Sequence, residues 1–138
     1  MIKGINHITF SVANLERSID FYQKTLGASL VAQGERLAYF DLAGVWLALN
    51  LETEVTRSNS SYSHIAFSIT QEDIPEFLSR LQQAEVTIEP GRSRNIAEAD
   101  SIYFRDPDGH LLEVHCGSLQ QRLEFYLQNR SDIVVFTK

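Results

Sequence analysis

The hexapeptide His7-Ile8-Thr9-Phe10-Ser11-Val12 returns in the second half of the chain as His64-Ile65-Ala66-Phe67-Ser68-Ile69. Both copies keep the pattern His-Ile-x-Phe-Ser-aliphatic, and each is followed by an amphipathic helical pattern and then by strand-like runs. Internal repeats constrain a fold more strongly than any single element does. Because there are only two copies, each with its own helix and strands, the repeat predicts a duplicated module rather than a solenoid.

Side-chain alternation gives this repeat its meaning. Successive side chains of a strand point to opposite faces, so Ile8, Phe10 and Val12 share an apolar face that helices should cover. The second copy alternates in the same way. His7 and His64 then occupy equivalent positions on the opposite faces. If the two modules pair with pseudo-two-fold symmetry, the two imidazoles can converge in a shared cavity.

Composition excludes several classes of function. The chain has 138 residues and a formal net charge of -6, with no run of Lys or Arg, which gives a nucleic-acid partner little support. Cys116 is the only cysteine, which excludes an intrachain disulfide and fits a reducing compartment. The opening residues lack a signal-peptide layout, and the longest apolar stretch, at 45–49, is too short for a bilayer. We therefore expect a cytoplasmic protein without a membrane partner.

The expected order of elements is strand, helix and three strands, twice, in a single α+β domain of two βαβββ modules. We place module one at 1–50, a linker at 51–61, module two at 62–117, and a closing helix and tail at 118–138. Periodicity and turn residues predict strands at 5–12, 28–33, 37–42, 45–50, 86–88, 101–105 and 111–116, besides the second hexapeptide at 64–69, and helices at 15–26, 71–84 and 119–129. Thr70 and Asp73 resemble a capping box at the start of the second helix.

A metal site is the chemistry that the repeat favours. One histidine on a strand is usually structural, but His7 and His64 at matched positions suggest two ligands. Glu113 interrupts an apolar run and is the best third ligand, because a buried carboxylate needs a partner. His115 on the same face is a rival ligand, and a solvent-facing glutamate on an edge strand is the alternative. Two histidines and a carboxylate leave coordination positions open, as Mn²⁺, Mg²⁺, Fe²⁺ or Zn²⁺ would require for Lewis-acid chemistry.

Other polar side chains lie near the predicted site. Aromatic and polar candidates on the histidine faces are Tyr39, Asp41, Trp46, Asn50, Tyr62 and Tyr103. Arg92, Arg94 and Arg122 suggest an anionic ligand, since guanidinium pairs well with phosphate or phosphonate oxygens. The alternative for these arginines is a set of surface salt bridges. We expect Cys116 to be a small buried residue rather than a nucleophile, and His110 to be exposed at a turn.

Several stretches together resemble the fosfomycin resistance proteins of the vicinal oxygen chelate superfamily, which includes glyoxalase I and extradiol dioxygenases. These stretches are Gly4-Ile5-Asn6-His7, Leu37-Ala38-Tyr39-Phe40, Gly44-Val45-Trp46-Leu47-Ala48-Leu49-Asn50, Ser63-His64-Ile65-Ala66-Phe67, Ser101-Ile102-Tyr103-Phe104, Asp106-Pro107-Asp108-Gly109-His110 and Gly117-Ser118-Leu119-Gln120-Gln121-Arg122-Leu123. The resemblance spans nearly the whole chain.

The resemblance implies a metal-dependent thiol transferase that opens the epoxide of fosfomycin. The metal, Mn²⁺ or Mg²⁺ with Zn²⁺ as a further candidate, would be held by His7, His64 and Glu113. The resemblance also implies a homodimer in which the first histidine and the other two ligands come from different chains. Expected catalytic residues are Thr9, Tyr39 and Arg122, and expected substrate-binding residues are Trp46, Asn50, Tyr62, Arg92, Arg94 and Tyr103.

The branch within this family decides the co-substrate. The hydrolytic branch has a glutamate base where this chain has Gly44, and the glutathione branch has a short Ser/Gly-rich potassium loop that residues 91–100 do not match. The chain therefore resembles the bacillithiol branch, with bacillithiol or L-cysteine as donor. Thr9 is the departure, because that branch often has cysteine there and the glutathione branch threonine. Glutathione, another metal-dependent reaction on this fold and a non-catalytic drug-binding module remain the alternatives.

Overall fold

The computed structural model describes residues 1–58, 60–90 and 101–136. Its elements in chain order are β1 (His7–Val12), α1 (Leu15–Lys24), β2 (Ser29–Gln33), β3 (Leu37–Leu42), β4 (Val45–Leu51), β5 (Ile65–Ser68), α2 (Ile74–Gln83), β6 (Ile88–Glu89), β7 (Ser101–Arg105), β8 (Leu111–His115) and α3 (Leu119–Asn129). Among the described helices, none combines the length and the apolar character needed to cross a bilayer.

The two modules repeat one sheet topology. The strand orders are β1-β4-β3-β2 and β5-β8-β7-β6, so the first strand of each module lies beside its last strand. These two pairs are parallel, whereas the other neighbours in each sheet are antiparallel. The prediction of an α+β chain with two βαβββ modules is confirmed.

One hydrophobic core joins both modules. Phe10 and Val12 of β1 lie in the same cluster as Phe104 of β7 and Val114 of β8. Both α1 and α2 bury apolar faces there, and Leu81 of α2 is fully buried. Burying one large apolar side chain contributes about 1.5–3 kcal/mol, so this shared core fixes the modules against each other. The histidine-bearing faces of both sheets are consequently turned away from it, as alternation predicts.

The second helix begins later than its sequence pattern suggests. We expected it at residue 71, with Thr70 and Asp73 as a capping box, but α2 begins at Ile74. Asp73 makes no side-chain capping bond and instead accepts a hydrogen bond from the Thr70 hydroxyl at 2.7 Å. Pro75 lies in the first turn of α2, where its missing amide hydrogen costs no bond within the helix.

A capping box does exist at α3, where we had not predicted one. The Ser118 hydroxyl accepts from the Gln121 amide at 3.2 Å, and the Gln121 side chain accepts from the Ser118 amide at 2.9 Å. Among the described residues, α3 has no buried side chain, and Leu119 and Leu127 are largely exposed. Local capping therefore defines this helix better than packing within the chain does.

A polar junction ties the Asp106-Pro107-Asp108-Gly109 turn of module two to α1 of module one. Asp108 accepts hydrogen bonds from the Ala13 amide, Arg17 and Ser18, at 2.9, 3.2 and 3.3 Å. Since Ala13 directly precedes the N-cap of α1, this carboxylate lies at the positive end of the helix dipole. The turn thus sets how module two sits against module one.

A buried phenol–carboxylate pair lies beside this junction. The Tyr22 hydroxyl donates to Asp106 at 2.9 Å, and both residues are buried. Burial raises the pKa of the Asp106 carboxyl, although His110 and the hydrogen bonds to the carboxylate act in the opposite direction. Burial, with the nearby Asp106 charge, also raises the pKa of the Tyr22 phenol well above its usual range.

Candidate active site

The open face of the first sheet carries a group of the predicted site residues. In the register of β1, β4 and β3, His7 pairs with Trp46, and Thr9 pairs with Ala48, which also pairs with Tyr39. The His7 and Trp46 ring centroids lie 4.6 Å apart, and those of Tyr39 and Trp46 5.3 Å apart. Strand alternation therefore brings His7, Thr9, Tyr39 and Trp46 onto one face, away from the core.

The open face of the second sheet holds a histidine–carboxylate pair. The Nε2 atom of His64, just before β5, lies 3.0 Å from Oε2 of Glu113 on β8. Glu113 is only 4% exposed, so it is not the solvent-facing edge glutamate that was the alternative. The side chain lies on the central strand pair of the sheet, between Ala66 of β5 and Tyr103 of β7.

Hydrogen bonds orient both candidate ligand histidines in the same way. The Nδ1 atom of His64 lies 2.8 Å from the Tyr62 carbonyl oxygen, and Nδ1 of His7 lies 2.7 Å from Oδ1 of Asn6. Because both oxygens only accept, each Nδ1 carries the proton that it donates. In the neutral tautomer each Nε2 then keeps a lone pair, which is how metal-binding histidines are commonly held by an outer partner.

This donor set fits a divalent cation. An ionised carboxylate and an imidazole lone pair are both acceptors, so a proton or a cation is needed between His64 Nε2 and Glu113 Oε2 at 3.0 Å. Imidazole nitrogen and carboxylate oxygen are ligands of Zn²⁺, Mn²⁺ and Fe²⁺ alike. The pair brings together two of the three residues that the sequence predicts as ligands, and their metal-binding role stays a prediction.

The third expected ligand, His7, does not complete this pair within one chain. Across residues 1–58, 60–90 and 101–136, no three His, Cys, Asp or Glu side chains are grouped closely enough to hold a metal ion. The convergence of the two imidazoles that the repeat suggests is therefore absent from the single chain. His115 likewise does not form such a group with His64 and Glu113. Sharing of the site between chains stays a prediction.

Aromatic side chains wall the His64–Glu113 pair. Tyr62 and Tyr103 approach the His64 ring with centroid distances of 4.9 and 5.4 Å, and the Tyr62 hydroxyl donates to the Tyr103 hydroxyl at 3.0 Å. A cavity of about 150 Å³ opens beside them, lined by Tyr62, Glu89, Pro90, Tyr103, Arg105 and Leu111. Both tyrosines thus lie at the pair, and their substrate-binding role stays a prediction.

Ser101 contacts the carboxylate, although we did not predict a role for it. Its hydroxyl donates to Glu113 Oε1 at 2.6 Å and lies 2.6 Å from Nδ1 of His115. Side-chain alternation could have indicated this contact, because Ser101 and Tyr103 share a face of β7. The register pairs Ser101 with His115 and Tyr103 with Glu113. A hairpin register drawn from the Asp106–Gly109 turn would have placed Ser101 next to the carboxylate.

The remaining predicted residues lie elsewhere or outside the described part. Arg122 is half-buried on α3, with its guanidinium carbon 6.0 Å from the Tyr126 ring centroid, and Asn50 lies exposed on β4. Arg92 and Arg94 lie outside the described residues. Cys116 is part-buried rather than buried, and its thiol lies 3.0 Å from the Gln71 side-chain oxygen. Their roles stay predictions.

His110 differs from its expected position. It is not an exposed turn residue: Nε2 lies 2.7 Å from the Ser11 carbonyl oxygen, and the ring packs 5.0 Å from the Phe10 ring. The junction between the modules, which a single turn motif does not reveal, accounts for this part-buried position.

Comparison with known proteins agrees with this architecture. Residues 4–114 match the profile of the glyoxalase/bleomycin resistance protein/dioxygenase superfamily. The chain belongs to this superfamily. Within it, the chain is 52% identical to the metallothiol transferase FosB of Staphylococcus epidermidis over 128 residues, covering 91% of this chain and 92% of the relative. It is 47% identical to the FosB of Shouchella clausii over 138 residues, covering 98% and 94%.

Solved structures of superfamily members have the same fold. The fosfomycin resistance protein FosX of Listeria monocytogenes, in complex with Mn(II) and sulfate, matches with a TM-score of 0.83 and 35% identity, covering 91% of this chain and 99% of that one. A mutant form of the same protein, in complex with Mn(II) and 1S,2S-dihydroxypropylphosphonic acid, matches with a TM-score of 0.82 and 34% identity, covering 90% and 99%.

Proposed function

We propose that this superfamily member is a divalent-metal-dependent thiol transferase that inactivates fosfomycin by adding a thiol to its epoxide. The observation that carries the proposal is the His64–Glu113 pair on an open sheet face, in which Glu113 is buried and the Tyr62 carbonyl orients the His64 ring. Its relatives at about half identity are metallothiol transferases, which supports the same activity here.

His7, His64 and Glu113 are the proposed metal ligands. Mn²⁺ or Mg²⁺ is the proposed ion, and the Mn(II) complex of the Listeria FosX supports the former. When bound, the ion would serve as a Lewis acid toward oxygen atoms of the substrate. Asn6 and the Tyr62 carbonyl hold the two imidazoles so that each Nε2 is available as a ligand.

The other site residues are proposed to bind and orient the substrate. Tyr62 and Tyr103 place two hydroxyls beside His64, where they can donate to a phosphonate. On the His7 face the proposed substrate contacts are Thr9, Tyr39, Trp46 and Asn50. Arg122, with Arg92 and Arg94, would offset the phosphonate charge through paired hydrogen bonds. No protein nucleophile is needed, because the thiol brings its own sulfur, and a C–S bond replaces one epoxide C–O bond.

A homodimer is proposed to complete the site. Within one chain His7 does not join the His64–Glu113 pair, so a second chain would have to supply it. The exposed apolar residues Leu119 and Leu127 on α3, with Val134 and Phe136 after it, support an additional contact surface. Each site would then contain His7 from one chain and His64 with Glu113 from the other.

Bacillithiol or L-cysteine is the proposed donor, in a cytoplasmic setting, with glutathione as the alternative that Thr9 favours. A second candidate reaction is hydrolysis of the epoxide, because a FosX structure of similar fold contains a dihydroxypropylphosphonic acid. Gly44 argues against it, since the resemblance places the hydrolytic base at this position.

Product mass distinguishes these reactions. Purified protein with Mn²⁺ and fosfomycin is incubated separately with bacillithiol, L-cysteine, glutathione and water alone, and the products are weighed by mass spectrometry. We expect an adduct with bacillithiol or cysteine. A diol formed in water alone would establish hydrolysis instead, and no product with any donor would overturn the proposed substrate.

A further inference from the structure

Glu113 is held from the side opposite to its proposed metal-binding oxygen. Oε2 faces His64, whereas Oε1 accepts a hydrogen bond of 2.6 Å from the Ser101 hydroxyl. The side chain of Glu113 is 5% exposed, so water does little to hold it in place. The two oxygens therefore have different partners, Ser101 at Oε1 and His64 at Oε2.

Hydrogen-bond direction extends this contact to His115. The Ser101 hydroxyl has a single proton, and a carboxylate can only accept, so that proton lies toward Glu113. His115 Nδ1, at 2.6 Å from the same hydroxyl oxygen, must then be the donor. The three side chains form one directed chain, in which His115 Nδ1–H donates to Ser101 Oγ and Ser101 O–H donates to Glu113 Oε1.

The register of β7 and β8 holds these three hydrogen-bonded side chains next to one another. β7 and β8 are antiparallel neighbours in which Ser101 pairs directly with His115, one side-chain step from the Tyr103–Glu113 pair. All three polar side chains therefore project from the same face of adjacent strands. In this register the Ser101 hydroxyl on β7 reaches two side chains of β8, Glu113 and His115.

We infer that Ser101 and His115 are positioning residues that fix Glu113 as a metal ligand and thereby raise the affinity for the divalent ion. This inference rests on the metal site of the proposed function. Outer partners of metal-ligating carboxylates typically account for about 10–100-fold in metal affinity. Neither residue touches the ion in this arrangement, since both act through Oε1 of Glu113.

Two matched pairs of variants test the inference. Ser101→Thr keeps the hydroxyl, whereas Ser101→Val replaces it with a methyl group of nearly the same shape. His115→Asn keeps a donor near the Nδ1 position, whereas His115→Leu removes it. Ser68→Ala is the control, because Ser68 of β5 is exposed and pairs with His115 from the other side.

Mn²⁺ affinity of the full-length protein is the measurement, with free Mn²⁺ quantified by electron paramagnetic resonance and the bound-ion spectrum recorded. Ser101→Val and His115→Leu should each weaken Mn²⁺ binding by about 10–100-fold. Ser101→Thr, His115→Asn and Ser68→Ala should stay within about threefold of the wild type. The hydrogen bonds from His115 through Ser101 to Glu113 act as a unit. The variant that combines Ser101→Val with His115→Leu should therefore bind Mn²⁺ about as weakly as the more affected of the two single variants.

Each result is decisive. Wild-type affinity in both Ser101→Val and His115→Leu would overturn the inference and leave the proposed function standing. Equal losses in Ser101→Thr and Ser101→Val would show a packing role instead, and would also overturn it. If the wild type binds no Mn²⁺, the metal site of the proposed function and this inference both fail. Should Ser101→Val not fold, the His115 pair decides alone.

Discussion

At the scale of single residues, one hydrogen bond orients each histidine of the candidate site. Both proposed ligand histidines donate from Nδ1 to an oxygen within two residues in sequence, Asn6 for His7 and the Tyr62 carbonyl for His64. Each imidazole therefore presents Nε2 outward, and Glu113 completes the pair with Oε2. These bonds leave the two Nε2 atoms and Glu113 Oε2 as the groups that the proposed metal site would use.

Removing a ligand should abolish activity. Glu113→Gln removes the charge that faces His64, and His64→Ala removes the imidazole, so either variant should lose Mn²⁺-dependent consumption of fosfomycin. Cys116→Ser should remain near the wild-type rate, because the thiol lies beside Gln71 and not at the pair. Rates are measured by mass spectrometry at saturating thiol. Full activity in His64→Ala would contradict the metal assignment.

The Tyr22–Asp106 pair should make stability depend on pH. Because burial raises the pKa of Asp106, the folded protein binds that proton more tightly than the unfolded chain does. This contribution to stability is present below the ordinary aspartate value of 3.8 and is lost as the pH rises through the raised pKa. Asp106→Asn keeps the acceptor for the backbone amides and removes the titration.

Urea denaturation of the two proteins at several pH values between about 4 and 7 measures this effect. The free energy of unfolding of the wild type, minus that of Asp106→Asn, should fall as the pH rises. A difference that stays flat, or that increases with pH, would show that Asp106 is ionised in the folded protein with no raised pKa.

At the scale of elements, a turn adds a polar contact to the shared core that joins the two modules. Asp108 reaches the start of α1, where it accepts from the Ala13 amide, Arg17 and Ser18. The sequence identified Asp106–Gly109 as a turn, but not its partner, because a turn motif contains no information about distant contacts. Similarly, α2 begins at Ile74 rather than at residue 71, and the Ser118–Gln121 capping box was not predicted.

Loss of this junction should destabilise the whole chain. Asp108→Ala leaves the Ala13 amide, Arg17 and Ser18 without their shared acceptor, at a cost of about 2–3 kcal/mol in the free energy of unfolding. Asp20→Ala, which removes an exposed ion pair with Lys24, should change it by less than about 0.5 kcal/mol. Urea titrations at neutral pH give both values. Equal, small losses would mean that the junction does not stabilise the fold.

At the scale of the whole molecule, the hexapeptide repeat was sufficient to predict the duplicated fold. Alternation in each copy correctly separated the core face of Phe10 from the open face of His7. The position of Glu113 in an apolar run correctly indicated a buried carboxylate with a partner. The division into modules at residues 50 and 62 stays a prediction. Contacts that depend on strand register, such as Ser101 with Glu113, were missed because register is not visible in one strand.

The central claim is that His7 of one chain joins the His64–Glu113 pair of another chain in one metal site. His7→Ala and Glu113→Gln chains with different affinity tags are co-expressed, and doubly tagged dimers are purified. If each site uses His7 from one chain and Glu113 from the other, one site of the mixed dimer is intact. The other site then lacks both His7 and Glu113. The mixed dimer should therefore have about half of the wild-type activity, whereas dimers of either variant alone remain inactive.

A site built within each chain gives a different result. Both sites of the mixed dimer would then be damaged, and it would be as inactive as the parent variants. An inactive mixed dimer, or the absence of any doubly tagged complex, would contradict the account, and activity near half of the wild-type value would support it.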